Sequence, residues 1–315
     1  MVPIDCTLVT CEQFPALDPD DRLLADELRK RGMRVSIATW SDPKVDWSAS
    51  RVCVVRSTWD YYRRYDEFIA WLDRTSELTA IRNDERLIRW NAHKSYVRDI
   101  ERAGVSVVPT EWVERGASRS LADLCESRGW PAVVVKPALG AAASDVLLVR
   151  CDRASLARGQ DHLDRLSPAQ DVLVQPYLKS VSTYGERALM FFGGRYSHAV
   201  VKKPFDTVLV VSDERSSLVE ATAEELDVAG RALNAVPGRT VYARVDLLHD
   251  DDGNALVSEV EVIEPGLYLG VHEPARSMLA DAIERELQAF PAFRRNRHRH
   301  GHDFLSNDAV DGAIL

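Results

Sequence analysis

The chain has 315 residues, of which 45% are hydrophobic and 28% are charged, a composition typical of globular proteins with a buried core. Its 49 acidic residues outnumber its 40 lysine and arginine residues, and the net charge of -9 argues against nonspecific binding to nucleic acid. No stretch approaches the roughly 20 apolar residues of a membrane span, and the N-terminus lacks a basic leader, so we expect a cytoplasmic protein with no membrane partner.

Short apolar runs alternate with amphipathic segments at the start of the chain. The runs CTLVTC, RVSIATW and RVCVVRSTW predict strands, whereas DDRLLADELRKRG and YDEFIAWLDR predict helices. Strands that are separated by helices form parallel sheets. We therefore predict an N-terminal parallel α/β domain over residues 1–88.

The segment after RVCVV combines a cation with aromatic residues. It follows a predicted parallel strand, and open α/β sheets present ligand groups at that edge. We predict a ligand contact by Arg56, Ser57, Trp59 and Tyr61, in which Arg56 pairs with a carboxylate and the two aromatic rings form a wall. Packing of these rings at a domain junction is an equally good interpretation.

A second unit is predicted over residues 89–178. A helix over WNAHKSYVRDIERAG is followed by a strand SVVPT, a helix SLADLCESRG and a strand PAVVVKP. After the small-residue loop ALGAAAS, the pattern predicts a strand DVLLVR, a helix near 153–166 and a strand DVLVQPYL.

Two features of this unit could bind a nucleotide. Lys136 ends a predicted strand just before ALGAAAS, whose small residues let backbone amides approach a polyphosphate. This segment lacks the phosphate-loop pattern, and a buried lysine paired with a carboxylate is an equally good interpretation. The end of DVLVQPYL could form an apolar slot for a base, although ordinary core is the stronger interpretation of that strand alone.

Residues 179–290 have an α+β pattern with two predicted hairpins. The first is GERALMFFGGRYSHAVVKKP, which turns at its paired glycines, and the second joins TVYARVDLL to ALVSEVEVIEP through DDDGN. Helices are predicted near 222–235 and 274–289. Residues 291–315 lose periodicity and are predicted to be a loosely packed tail.

The second hairpin predicts a metal site. Arg244 and Asp246 lie two residues apart and share one face of a strand, as do Glu259 and Glu261 on its partner. Burying three carboxylates together is costly without a cation, and Mg²⁺ prefers such oxygen ligands. The residues between them are apolar, so the opposite face is predicted to be packed. A solvated polar face is the alternative.

In this order, the segments resemble the ATP-grasp superfamily, especially its branch of glutathione synthetase and ribosomal-protein glutamate ligases, over roughly residues 85–290. The segments VRSTWDYYRRYDEF, LIRWNAHKSY, GRYSHAV and EVEVIEPGLYL are similar to the small ATP-grasp enzymes typified by D-cycloserine synthetase. The resemblance implies an ATP-grasp fold, in which an N-terminal parallel α/β domain precedes a nucleotide held between two antiparallel sheets. Its cofactors would be ATP and Mg²⁺.

The resemblance also implies a role for individual residues. Phosphate contacts would come from lysines and from a closing loop, adenine contacts from a strand end, and the ribose contact from a glutamate. The lysines are Lys94, Lys136 and Lys202, and the closing loop is Gly140 to Ser144. The strand end is Gln175, Tyr177 and Leu178, and the glutamate is Glu186. The catalytic residues would be Arg244, Lys202 and Lys136, and the metal ligands would be Asp246, Glu259 and Glu261.

Three departures from the family pattern stand out. Gln175 replaces a commoner acidic residue, Glu259-Val-Glu261 replaces the usual Glu-x-Asn, and the phosphate loop has fewer glycines. None of these changes removes a phosphate-binding charge. The first two could alter nucleotide affinity or the number of bound metal ions.

The implied activity is that of an ADP-forming carbon–nitrogen ligase acting on a small amino-acid-like substrate. A carboxylate would be phosphorylated and then attacked by nitrogen, within one molecule as in D-cycloserine formation or between two molecules as in peptide formation. A non-catalytic ATP-binding regulatory module is the alternative, whereas the absence of G-x-G-x-x-G disfavours a dinucleotide-dependent oxidoreductase. The sequence allows a homodimer without establishing the oligomeric state.

Overall fold

A computed structural model describes residues 4–140, 144–202 and 216–289. Residues 141–143 of the predicted phosphate loop, Lys203 and the predicted tail 291–315 lie outside the described residues. Within the described ranges, no helix has the length and apolar composition needed to cross a bilayer.

The N-terminal unit contains the predicted parallel sheet, with strands in the order β2-β1-β3-β4. Asp18 caps the first helix by accepting hydrogen bonds from the backbone amides of Asp20 and Asp21, and Pro19 occupies the first helical position. The elements are β1 Ile4–Thr10, α1 Pro19–Lys30, β2 Val35–Thr39, β3 Ser50–Val55, α2 Tyr65–Ser76 and β4 Ala80–Arg82.

The middle unit is an antiparallel sheet in the order β5-β8-β6-β7, packed against two helices. Its strands follow the predicted apolar runs, and the predicted helices near 120–129 and 153–166 are present. The elements are β5 Glu111–Val113, α5 Leu121–Arg128, β6 Ala132–Pro137, β7 Leu147–Arg150, α6 Arg153–Leu166 and β8 Val172–Pro176; they are preceded by α3 Glu85–Ala92 and α4 Tyr96–Arg102.

The prediction of one continuous helix over WNAHKSYVRDIERAG is wrong. His93 adopts an extended conformation, with φ of -109° and ψ of 128°, and separates α3 from α4. The backbone amide of Lys94 donates instead to the carbonyl of Ala138, at 2.8 Å. This tertiary hydrogen bond replaces a helical one and brings Lys94 beside the loop that follows β6.

The predicted strand SVVPT is also absent from the middle sheet. Val107 makes only an isolated parallel bridge with Val257, where the amide of Val108 donates to the carbonyl of Val257 and the amide of Val257 donates to Ser106. Pro109 lacks the amide hydrogen that a longer ladder would require. This segment therefore ties the middle unit to the C-terminal sheet.

The C-terminal unit is an antiparallel sheet in the order β11-β10-β9-β12-β13, which confirms both predicted hairpins. One face packs on α8, whose first turn is closed by a capping box between Thr222 and Glu225. The elements are α7 Ser180–Thr183, β9 Glu186–Phe192, β10 Arg195–Lys202, β11 Ser216–Val219, α8 Ala223–Asn234, β12 Tyr242–His249, β13 Ala255–Glu261 and α9 Glu273–Ala289.

Buried polar side chains fix the C-terminal sheet to the N-terminal domain. The hydroxyl of Tyr242 lies 2.6 Å from the carbonyl of Val55 and 2.9 Å from that of Ile263. Asn83 donates to the carbonyls of Tyr242 and Val262, and it accepts from the amide of Val241. The chain that leaves β13 is therefore held against the end of β3. The predicted domain bounds at 88/89 and 178/179 stay predictions, and α3 runs across the first of them.

Candidate active site

A cavity of about 340 Å³ lies between the middle and C-terminal antiparallel sheets. It brings together every predicted site residue except Arg56 and Ser57. From the middle unit and the loops around it come Lys94, Lys136, Gly140, Ser144, Gln175, Tyr177 and Leu178; from the C-terminal sheet come Glu186, Lys202, Arg244, Asp246, Glu259 and Glu261; and from the N-terminal domain come Trp59 and Tyr61.

Two lysines from the middle unit meet one glutamate of the C-terminal sheet. Lys136 lies near the end of β6, and its Nζ is 2.8 Å from Oε1 of Glu259. Lys94 Nζ is 3.6 Å from Oε2 of the same carboxylate and donates to the carbonyl of Gly140 at 2.9 Å. Burial raises the pKa of Glu259, but the two lysines outweigh burial and hold that pKa well below the usual range.

A second charge cluster lies on the C-terminal sheet itself. Lys202 Nζ is 2.7 Å from Oδ2 of Asp246 and 3.3 Å from Oε1 of Glu186. Burial lowers the pKa of Lys202, but these two carboxylates raise it above the usual value for a lysine. The lysine is therefore charged and is shared between two acids from neighbouring strands.

The registry of β12 and β13 places Arg244 opposite Glu261 and Asp246 opposite Glu259, as the alternation predicted. Arg244 donates from Nε and Nη2 to the two oxygens of Asp246, at 2.8 and 2.9 Å, and from Nη2 to Glu261. The residues between them pack into the core beneath the sheet. One face of this hairpin is thus apolar, and the other lines the cavity.

The carboxylates differ in how well they are neutralised. Burial raises the pKa of Asp246, yet Arg244 and Lys202 lower it overall. Burial raises the pKa of Glu186 and of Glu261 above the ordinary value, and the neighbouring acids add to this effect. The cavity therefore has a surplus of negative charge on its C-terminal wall.

These carboxylates suit a hard divalent cation. Asp246, Glu259 and Glu261 offer oxygen donors from adjacent strands, and Mg²⁺ binds through a few such carboxylates together with phosphate oxygens. In the described residues, no three acidic, histidine or cysteine side chains already surround one point, because each of these carboxylates is paired with lysine or arginine. The donor set fits a metal that arrives with its phosphate ligands, and the metal assignment stays a prediction.

The predicted adenine slot combines apolar side chains with the amide of Gln175. Gln175 is buried, and its Nε2 donates to Oγ1 of Thr110 at 2.8 Å. Val108, Val134 and Leu178 also line this end of the cavity. A flat apolar slot with few polar groups is the usual form of a base-binding site.

Arg56 and Ser57 lie behind the cavity wall. Arg56 is 1% exposed and its Nε donates to Asp21 at 2.8 Å, while its Nη2 donates to the carbonyl of Pro265 at 2.6 Å. Ser57 Oγ donates to the same aspartate. Because Asp21 neutralises the guanidinium, Arg56 is not available in this structure for the predicted pairing with a substrate carboxylate. Trp59 and Tyr61, from the same segment, do line the cavity.

Sequence analysis missed Glu264 as a site residue. It directly follows the EVEVI strand pattern, only three residues beyond Glu261, but strand alternation does not extend past the end of β13. The side chain lines the cavity and is 8% exposed. Tyr268 lines the same cavity, from a backbone conformation with φ of 52°.

Comparisons with known proteins agree with this geometry. The family model of the N-terminal domain of D-cycloserine synthetase DcsG matches residues 6–83. The cycloserine biosynthesis protein DcsG of Streptomyces lavendulae is 33% identical over 298 residues, which cover 89% of this chain and 98% of that protein.

Solved structures show the same relationship. The crystal structure of D-cycloserine synthetase DcsG superposes with a TM-score of 0.83 at 33% identity, covering 90% of this chain and 99% of that one. The ATP-grasp ligase PsnB, in complex with a minimal precursor, Mg and ADP, gives a TM-score of 0.60 at 18% identity, covering 90% and 100%, a likeness of fold. The resemblance and the fold class predicted from sequence are confirmed. The chain belongs to the D-cycloserine synthetase family of ATP-grasp enzymes, which are ADP-forming carbon–nitrogen ligases.

Proposed function

We propose that this enzyme uses ATP and Mg²⁺ to phosphorylate the carboxylate of an amino-acid substrate, and that a nitrogen of the same substrate then displaces the phosphate to close a ring. The observation that carries the proposal is the cavity in which Lys94, Lys136, Lys202 and Arg244 converge between two antiparallel sheets. The 33% identity to a cycloserine biosynthesis protein supports the choice of a cyclisation.

In this proposal the lysines exchange their protein partners for phosphates. Lys94 and Lys136 share Glu259 in the structure, and Lys202 is bound to Asp246. Phosphate oxygens accept the same hydrogen bonds as these carboxylates and carry more charge. When the lysines turn to the triphosphate, Glu259 loses its lysine partners, whereas Asp246 and Glu261 keep their contact with Arg244. These three carboxylates would hold Mg²⁺, which when bound would neutralise charge on the phosphates.

The rest of the nucleotide would occupy the end of the cavity near β8. The backbone around Gln175 to Leu178 and the apolar side chains beside it would hold adenine, with Glu186 directed to the ribose. Lys202 accompanies Glu186 in the same cluster, at 3.3 Å, and would lie beside the γ phosphate. This orientation points the terminal phosphate toward Arg244 and the substrate end of the cavity.

The chemistry needs no nucleophile from the protein. An oxygen of the substrate carboxylate forms a bond to the γ phosphorus as the bond to the β–γ bridging oxygen breaks, and ADP leaves. The substrate nitrogen then forms a bond to the acyl carbon, the carbon–oxygen bond to phosphate breaks, and phosphate leaves with the electron pair while nitrogen gives up a proton. Arg244 and Lys202 supply positive charge where it is needed, since positioning and electrostatics dominate phosphoryl transfer.

The test is an ADP-release assay with amino acids, aminooxy amino acids and ureido amino acids, followed by mass spectrometry. Ring closure predicts ADP release that depends on a substrate bearing a side-chain nitrogen, and a product lighter than that substrate by one water. A product that contains two substrate molecules, or a substrate joined to an added amine, would establish intermolecular ligation instead. Nucleotide binding without ADP release across the panel would contradict the proposal and indicate a binding module.

A further inference from the structure

Glu264 is a buried acid at the cavity wall, and its carboxylate is in ion-pair contact with none of the cations in the part of the chain that the structure describes. It follows β13 by three residues and is 8% exposed. Within the described ranges, its carboxylate makes no ion pair and accepts no hydrogen bond. By contrast, Glu186, Asp246, Glu259 and Glu261 in the same cavity each contact a lysine or an arginine.

The cations nearest to Glu264 form ion pairs with other carboxylates. Lys94 contacts Glu259 and Gly140, and Arg244 is bound to Asp246 and Glu261. Arg56, on the other side of the wall, is bound to Asp21. Removal of a carboxylate from water without a partner is costly, so an acid in this position is neutral by protonation or is neutralised by a ligand.

Two aromatic side chains, Trp59 and Tyr61, line the same cavity as Glu264. Trp59 donates from Nε1 to the backbone carbonyl of Glu264 at 2.9 Å, and its ring packs edge-on against Phe14. Tyr61 is 4% exposed, packs against Phe68 and lines the cavity with Trp59. An acid flanked by aromatic rings is a common arrangement for binding an organic ammonium group, because the rings attract the cation and exclude water.

We propose that Glu264 binds the α-ammonium group of the substrate, with Trp59 and Tyr61 as the walls around it. This inference rests on the proposed function and adds a residue that sets its specificity: Glu264 would favour amino acids with a free ammonium group over simple carboxylic acids or amides of the amino group. The substrate carboxylate would then face Arg244 and Lys202, so that the two charged ends of the amino acid fix its orientation.

Glu264 is a specificity-determining residue in this assignment. Burial and the neighbouring Glu261 raise the pKa of Glu264 well above its usual range, so the charged form of this acid is disfavoured until a cation lies beside it. An incoming ammonium stabilises the carboxylate and displaces that proton to solvent. Binding of the substrate is thereby coupled to proton release, which a purely structural glutamate would not show.

The experiment compares β-aminooxyalanine with 3-aminooxypropanoate, which lacks only the α-amino group. Isothermal titration into the full chain, saturated with Mg²⁺ and a non-hydrolysable ATP analogue, gives both affinity and proton release when it is repeated in buffers of different ionisation enthalpy. The wild type should bind the amino acid about 10- to 100-fold more tightly, since a hydrogen bond to a charged group is worth that factor. It should release up to one proton per molecule bound.

The variant Glu264→Gln should lose both the preference and the proton release, while its affinity for 3-aminooxypropanoate stays within a few-fold of the wild type. Glu126→Gln, which changes an exposed glutamate on α5, is the matched control and should behave as wild type. Equal binding of the two compounds by the wild type, or an undiminished preference in Glu264→Gln, overturns the inference. ADP release with either compound is scored separately and reports on the proposed function alone.

Discussion

The two ends of the cavity balance their charges in different ways. At the end near the middle sheet, the acids on the C-terminal strands are paired with lysine or arginine, as in the 2.8 Å contact between Lys136 and Glu259. At the end near the N-terminal domain, Glu264 has no such partner among the residues that the structure describes, although the Arg56–Asp21 pair lies close behind it. Paired charges can be exchanged for a ligand of either sign, whereas a lone acid selects a cation.

The largest expected effect, on ADP release, comes from substituting Lys136 or Asp246 at the cavity end where the acids are paired with cations. Lys136→Ala removes a proposed phosphate contact, and Asp246→Asn removes a proposed metal ligand and changes a partner of Lys202. Each should lower ADP release by about 100- to 1,000-fold or more, since such groups act on charge that develops in the transition state. Lys30→Ala, at an exposed position on α1, is the matched control.

Coupled-assay kinetics and circular dichroism together check this prediction. The variants should retain the wild-type far-ultraviolet spectrum, because neither side chain belongs to the apolar cores. Near-normal turnover in both variants would refute the assignment of the phosphate end.

The second prediction concerns the buried Arg56–Asp21 ion pair, which lies behind the cavity end near the N-terminal domain. Arg56 and Asp21 are 1% and 2% exposed, so Arg56→Met leaves a buried carboxylate without its cation. The expected loss is about 3–5 kcal/mol of unfolding free energy, which urea denaturation measures. Arg29→Met, which removes an exposed pair with Asp26, should cost less than about 1 kcal/mol. Similar losses of unfolding free energy in the two variants would contradict the prediction, because the buried pair would then stabilise the fold no more than an exposed pair does.

The third prediction concerns how Glu264 makes the unfolding free energy depend on pH. The folded state raises the pKa of Glu264 and so binds its proton more tightly than the unfolded state, where a glutamate titrates near pH 4.3. Unfolding free energy from this group therefore falls as pH rises above that value. Glu264→Gln should match the wild type at acidic pH and become more stable than it as pH rises. Denaturation at several pH values in the absence of ligand checks the sign, and destabilisation at pH 8 would contradict it.

The sequence predicted the paired end better than the lone acid for a physical reason. The charges on β12 and β13 follow strict alternation, and a period of two residues fixes the face on which each side chain lies, so the shared face of Arg244, Asp246, Glu259 and Glu261 could be predicted. Lys94, for which the resemblance implied a phosphate contact, lines the cavity, but not within the continuous helix that the sequence predicted. Its position depends on a hydrogen bond from its backbone amide to Ala138, which is 44 residues away in sequence and leaves no local signal.

The errors at the other end have the same origin. Arg56 was predicted to face a ligand because it follows a parallel strand, yet its charge is neutralised by Asp21 on α1. Glu264 follows the last strand of the hairpin, where periodicity ends, and its isolation depends on where the neighbouring cations find their partners. Pairing of charges between residues that are distant in sequence is a tertiary property, and spacing along the chain does not encode it.

The smallest expected effect comes from a change at Glu186, one of the two acids that contact Lys202. Glu186 and Asp246 both contact Lys202, but Asp246 also binds Arg244, whereas Glu186 is partly exposed at the start of the central strand β9. Glu186→Gln leaves Lys202 held by Asp246 and removes only a contact proposed for the ribose. The KM for ATP should rise about 2- to 10-fold with little change in kcat, the loss expected for one hydrogen bond that is equal in the bound ground and transition states.

Steady-state kinetics at saturating substrate separate the two parameters. A fall in kcat comparable to that of Asp246→Asn would mean that Glu186 acts on the transferring phosphate, and that the two acids beside Lys202 share one role.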